Sequence, residues 1–338
     1  MPSLLRLVWP VGARVIRYYG WLREFSRHPE TYPLEMRFHH THAFAYSLIK
    51  PFRIRFIYRG LENTVGERAL FVFNHQSDFD PPVIMAVLDT PVGFLAKKKI
   101  VTFPIINHIV NATDGDYLDR NDIRQELRTI KSIGKKMAQD PNMSYVIFPE
   151  GKRSQDPFDH TMSPYKPGAF KSAYLAKADI IPCALFGTYR CLEFNRADQR
   201  VYPIQISFLP RIRYEDYKGM STVELAQHIE DLTRAEVARM RALQPSLEFY
   251  WNQPEHAREA RWEIRHQAKL FERKRRAQLA VERPLARQLR AKKPRSKPYV
   301  PCTYTRQDAA NDRRAKAERK AERRRFIAEH EKAQKGGR

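Results

Sequence analysis

The chain has 338 residues, 42% of them hydrophobic, and carries a formal net charge of +23. The apolar fraction suits a folded core, and the charge points to an anionic partner: lipid headgroups, nucleic acid or a phosphorylated substrate. Three cysteines, Cys183, Cys191 and Cys302, with no C-x-x-C spacing, argue against a disulfide framework or a zinc site and fit a reducing compartment.

The first segment, Ser3 to Phe25, has Leu4, Val8, Val11, Val15, Tyr18 and Leu22 at helical spacing. Arg6, Arg14 and Arg17 fall within an arc of about 80° at 100° per residue, and Trp9 and Trp21 suit a headgroup zone. Two readings stand: an interfacial helix in the membrane plane, or a core-packed helix bent by Pro10. Residues 38–50 form a second candidate of this kind. Their His39, His40 and His42 read better as a solvated or interfacial face than as a metal site. No apolar run is long enough to span a bilayer. Arg14 and Arg17 interrupt what would be a signal peptide.

From residue 53 short apolar runs alternate with helical patterns, the texture of an α/β domain. Strands are expected at Ile54–Tyr58, Ala69–Phe73, Val92–Ala96, Tyr145–Phe148, Ile180–Phe186 and Tyr202–Leu209. Helices are expected at Asp122–Gln139, Ala169–Ala178 and Thr222–Leu243. Asp122 with Gln125 and Ser221 with Glu224 have capping-box spacing at two helix starts. Cys183, inside an apolar run, reads as a small buried hydrophobe.

Beyond residue 250 apolar anchors are few. Pro284, Pro294, Pro298 and Pro301 suggest two exposed, marginal helical stretches joined by a Pro-rich linker. Residues 255–338 hold 27 Lys and Arg against 11 Asp and Glu, so most of the basic excess belongs to this tail. Runs such as Arg273-Lys274-Arg275-Arg276 and Arg323-Arg324-Arg325 suit an anionic membrane, with nucleic acid the less favoured partner. A plain solvated helix face with i,i+4 pairs is the third reading. The chain thus divides into membrane-associating helices (1–50), an α/β domain (51–249) and a basic, partly helical or disordered tail (250–338).

The central motif is Phe73-Asn74-His75-Gln76-Ser77-Asp78-Phe79-Asp80. It follows an apolar strand, where α/β enzymes put catalytic groups. One turn of backbone lets the Asp80 carboxylate hold the His75 imidazole, leaving its other nitrogen to take a proton from a hydroxyl. A lone H-x4-D is weak evidence, but Gly115-Asp116-Tyr117-Leu118-Asp119-Arg120 and Phe148-Pro149-Glu150-Gly151-Lys152-Arg153-Ser154 follow, then Ile181-Pro182-Cys183-Ala184. Arg120 and Arg153 lie near strand ends or tight turns and suit a phosphate. Gly151-Lys152 is not a P-loop, because Val146 stands where the first Gly is required. Neither G-x-G-x-x-G nor a G-x-S-x-G nucleophile elbow occurs.

In this combination the sequence resembles the glycerolipid acyltransferases, specifically the 1-acyl-glycerol-3-phosphate acyltransferases. Asn74, His75, Ser77 and Asp80 match the family's N-H-x-S-x-x-D. Gly115, Asp119 and Arg120 match its second block. Phe148, Pro149, Glu150, Gly151, Arg153 and Ser154 match F-P-E-G-T-R-S, and Pro182 matches the fourth. Ala96-Lys97-Lys98-Lys99-Ile100 looks like A-K-K-E-L. The likeness covers roughly residues 50–215. Lys152 and Lys99 depart from the family's usual Thr and Glu, and both add positive charge.

The resemblance implies a single domain with a central mixed sheet flanked by helices. It implies His75 as general base held by Asp80, and Lys97, Arg120 and Arg153 as phosphate ligands. Glu150, Gly151 and Ser154 would shape the acceptor site. The donor would be acyl-CoA or acyl-carrier protein, with no metal or other cofactor. The acceptor would be 1-acyl-glycerol-3-phosphate, with glycerol 3-phosphate or another lysophospholipid as alternatives, at the cytoplasmic face of a membrane. The rival reading is a basic membrane- or nucleic-acid-binding protein with an inactive domain of this type.

Overall fold

The computed structural model describes residues 2–119, 122–154, 162–191, 199–291 and Ala310. Its strands are β1 (Ile54–Arg59), β2 (Ala69–Phe73), β3 (Val92–Lys97), β4 (Asp116–Leu118), β5 (Ser144–Ile147), β6 (Asp179–Phe186) and β7 (Tyr202–Phe208). Its helices are α1 (Pro2–Arg27), α2 (Leu34–Ile49), α3 (Asp80–Val87), α4 (Pro104–Ala112), α5 (Ile123–Gln139), α6 (Lys171–Ala176), the single turn α7 (Tyr214–Tyr217), α8 (Thr222–Asn252) and α9 (Pro254–Ala291).

One seven-stranded mixed sheet runs in the order β1-β7-β6-β2-β5-β3-β4. From β6 to β4 all neighbours are parallel; β7 pairs antiparallel with β6 and parallel with β1. Strands β2, β5 and β7 are buried along their whole length. This is why they read as unbroken apolar runs rather than alternating ones. One face packs Leu70, Tyr145 and Ile180 against α5, α6 and α8. The other packs Phe71, Ile181 and Ile204 against α2 and α3. Pro182 sits inside β6, opposite Val72, just before the β6–β7 ladder begins at Cys183. Its missing N–H therefore costs no rung of that ladder.

All six expected strands form, with ends shifted by a residue or less. The capping predicted for α8 is present: Glu224 N–H donates to Ser221 Oγ at 3.2 Å, and Ser221 N–H to the Glu224 carboxylate at 2.7 Å. Asp122 caps α5, but Gln125 does not complete a box. Its amide oxygen instead accepts from Asp119 N–H at 2.7 Å, tying the end of β4 to the helix.

Four elements, β4, α3, α4 and the single turn α7, were not expected from the sequence. Strand β4 has three residues, too few for a periodicity. Helices α3 and α4 carry prolines in their first turns, where proline is tolerated. Helix α8 also runs past its expected end at Leu243, through Pro245. Gln244, Glu248 and Asn252 beyond that point are bonded to Gln205, Arg190 and Val201.

The flanking regions correct the sequence expectations most. The apolar face of α1 is turned inward between Tyr18 and Phe25, where Tyr18, Leu22 and Phe25 are buried against α2 and α4. Trp21 packs on His40 rather than standing out toward headgroups. The histidines are no solvated face. His40 and His42 are buried, and His39 Nδ1 and His40 Nε2 lie 2.8 and 3.4 Å from the Glu282 carboxylate. The tail is not a marginal stretch up to residue 291, for α9 continues through Pro284 as one helix of 38 residues. Ala257, Ala260, Ala268 and Ala286 let it lie close to its neighbours, and Phe271 stacks on Tyr46 at 3.9 Å. The expected boundary near residue 50 is not a packing boundary either, since Phe38, Ala45 and Ile49 share a core with the strands. The remainder of the tail, with Cys302 and the Arg323 run, lies outside the described residues.

Candidate active site

Parallel β6, β2, β5, β3 and β4 all end at one edge of the sheet. Residues just past those ends are Thr188, His75, Glu150, Lys98 and Asp119. With strands about 4.8 Å apart, the ends of β5 and β3 stand roughly 5 and 10 Å from that of β2. The sheet therefore sets the lateral spacing of the site groups, and the loops set their depth.

The β2 end is anchored by Asn74. Its side chain donates to Leu185 O at 2.9 Å and accepts from Leu185 N–H at 2.8 Å, fastening the loop to β6. His75 Nδ1 lies 2.8 Å from Asp80 Oδ2. That oxygen also accepts the backbone N–H groups of Gln76 and Ser77, at 2.7 and 3.0 Å. Asp80 Oδ1 accepts from Thr188 Oγ1 at 2.5 Å. Asp80 is 0% exposed, and donors converge on both of its oxygens. A carboxylate so held cannot swing, and it fixes the imidazole with Nδ1 as donor and Nε2 as the nitrogen bearing the lone pair. Phe148 stacks on the His75 ring at 4.3 Å between centroids, which stops it from tilting.

The loop after β5 locks onto the same turn. Glu150 accepts from His75 N–H through one oxygen and from Ser163 N–H through the other, both at 2.8 Å. Ser154 N–H donates to His75 O at 2.8 Å. Burial pushes the Glu150 carboxyl above its usual range, and the two backbone donors pull it back. Glu150 thus acts on the backbone around His75 rather than on a substrate surface. Gly151 has φ +70°, and Lys166 lies across it: an added Cβ would stand 3.1 Å from Lys166 Cε.

Of the residues expected from the sequence, His75, Asp80, Glu150, Gly151 and Ser154 are drawn into one network. Arg153 stands at its rim, 2.8 Å from Asp78, three positions beyond His75. Lys97 closes β3 on the same edge, and Lys98 lies 3.6 Å from Asp119. Arg120 lies outside the described residues. Sequence reasoning missed Thr188, Phe148 as the ring under His75, and Lys166. No local pattern marks Thr188 or Lys166, which reach the site only through the fold. Among the described residues no group of three or more His, Cys, Asp or Glu is placed to hold a metal ion. An oriented imidazole beside an anchored carboxylate is an arrangement that can take a proton from a hydroxyl.

Residues 55–186 match the family model described as Acyltransferase. Over 151 residues the chain is 27% identical to a 1-acyl-sn-glycerol-3-phosphate acyltransferase of Cocos nucifera, covering 45% of this chain and 48% of that one. It is 26% identical over 172 residues to the enzyme of the same name from Escherichia coli, covering 51% and 68%. The match thus spans only about half the length of the Cocos relative. The crystal structure of the 1-acyl-sn-glycerophosphate (LPA) acyltransferase from Thermotoga maritima superposes with a TM-score of 0.58 at 19% identity, over 71% of this chain and 95% of that one. That likeness establishes a shared fold.

Proposed function

We propose that the protein transfers a fatty acyl group from the thioester of acyl-CoA or acyl-carrier protein to the sn-2 hydroxyl of 1-acyl-glycerol-3-phosphate, giving phosphatidic acid. The observation that carries the reading is the 2.8 Å contact between His75 Nδ1 and a fully buried Asp80 at the carboxyl edge of the parallel strands. The names of the relatives support the acceptor class.

In the proposed reaction His75 Nε2 takes the acceptor hydroxyl proton while that oxygen attacks the thioester carbonyl. The C–S bond breaks as the tetrahedral adduct collapses, and the imidazolium returns its proton to the leaving thiolate. General-base help of this kind is worth about 10²–10⁴-fold. Asp80 supports the imidazolium, and Thr188 holds Asp80. Arg153, Lys97 and Arg120 bind the acceptor phosphate, and Lys166 adds a cation beside Gly151. Fixing the phosphate fixes the hydroxyl near His75 and removes an entropic cost. Glu150, Gly151 and Ser154 shape the acceptor loop.

The protein works at a membrane surface in this reading, at the cytoplasmic face where its thioester donors occur. Among the described residues no helix is long and apolar enough to cross a bilayer. Exposed Ile16 and Tyr19 of α1, Ile106 of α4 and Phe103 just before α4 lie on or beside two helices packed together, a surface suited to lipid contact. The test is a screen of purified protein with phosphorylated acceptors and both donor classes, scored by product mass, with His75→Ala as control. Product at near-normal rate from that variant would refute the mechanism. Turnover restricted to an unphosphorylated acceptor would refute the substrate.

A further inference from the structure

Helix α9 has a flank that its packing leaves unused. Its buried positions, among them Ala257, Ala260, Ala268 and Ala286, point toward the body of the protein. At about 100° per residue, Arg265, Lys269, Arg273, Arg276, Arg283 and Arg287 fall within one arc of about 80° elsewhere on the helix. All six are exposed. Among the described residues none of the six is ion-paired, while Lys274, Arg275 and Arg290, outside that arc, pair with Asp89, Glu272 and Glu24. The carboxylates of Glu263 and Glu282 are turned toward Arg55 and the α2 histidines. At about 1.5 Å rise per residue the six cations form a straight row of roughly 33 Å.

We propose that this row docks the protein on an anionic lipid bilayer. A straight line of charges meets a flat surface along its whole length, and each cation near an anionic leaflet is attracted separately. Trp262, one turn before the row and exposed, is the type of side chain that seats at headgroup depth. Leu270 and Val281 are exposed beside it. A single-stranded polynucleotide binds through rings open for base stacking, but the Trp262 ring is stacked on His266 with an interplanar angle of 8°. The inference extends the membrane-surface reading above to a defined face, and it needs no catalytic step.

The experiment uses the full chain and vesicles of phosphatidylcholine with or without phosphatidylglycerol. Replacing all six cations by Gln is expected to weaken binding to the anionic vesicles by at least about tenfold, with little change on neutral vesicles. Changing the five arginines to Lys, which keeps the charge, is expected to leave binding near the parent value. The pair Arg283→Gln and Arg287→Gln, a milder change should the larger one unfold the helix, is expected to give an intermediate loss. Unchanged binding in either Gln variant overturns the proposal. So does stripe-dependent binding of duplex RNA that is tighter than vesicle binding at the same salt. Turnover on detergent-dispersed substrate is measured in parallel. If the parent shows none, the acyl-transfer reading fails while the vesicle result stands.

Discussion

The carboxyl edge of the sheet and the helical flank of α1, α2 and α9 are held together by different physics. At the edge, the turn that orients His75 closes over a short chain distance: His75, Gln76 and Ser77 all reach Asp80 within five residues. On the flank, rings and small residues from distant parts of the chain meet: His39 contacts Glu282 across 243 positions, and Phe271 lies on Tyr46. A site built from a local turn leaves a motif in the sequence. A helix packed by alanines against a remote aromatic surface leaves only a composition, and that composition reads as a solvated tail.

If the comparison is right, changes at the edge should alter turnover with the fold intact, and changes on the flank should alter stability or attachment with turnover intact. The largest effect is expected from His75→Ala. Its kcat should fall by at least about a hundredfold, with an unchanged melting curve. Next comes Thr188→Val, which removes the donor to Asp80 Oδ1. Losing a buried partner is worth about 1–3 kcal/mol, so kcat should drop by roughly five- to 150-fold. A normal kcat in that variant would show that Asp80 is held well enough without it. Arg153→Ala should raise KM for the phosphorylated acceptor by about tenfold and spare kcat, since a hydrogen bond to a charged group contributes about 1.5–3 kcal/mol. A KM that does not move would remove Arg153 from the phosphate site.

Gly151→Ala blurs the division. It places a Cβ at φ +70° against Lys166 and should cost about 1–2 kcal/mol of stability along with activity. Loss of activity without loss of stability would mean that the loop tolerates the strain by moving. The smallest effect belongs to the flank. Burial works to raise the Glu282 carboxyl, but the His39 hydrogen bond and the close approach of His40 outweigh it and hold it below its usual range. A carboxylate depressed in this way stabilises the fold above its unfolded pKa, near 4.3. That stability drains away as the pH falls through the lower folded value. Glu282→Gln should therefore lower stability at neutral pH and flatten the acid limb of a pH-dependent melt. A parallel acid limb in the variant would locate the loss in other carboxylates.

What the sequence determined by itself was whatever depends on near neighbours. The buried strands announced themselves as apolar runs, Ser221 and Glu224 as a helix start, and His75 with Asp80 as an oriented pair. The tertiary structure alone decided which distant groups met. It brought Thr188 to Asp80 across 108 positions and laid Lys166 over Gly151. It folded α9 onto histidines that read as solvent-facing. The reason is that helix and strand periodicity is encoded by residues a few positions apart, while the partner of a side chain at a strand end is set by strand order. Neither Thr188 nor Glu282 differs, in its own neighbourhood of sequence, from a residue exposed to water.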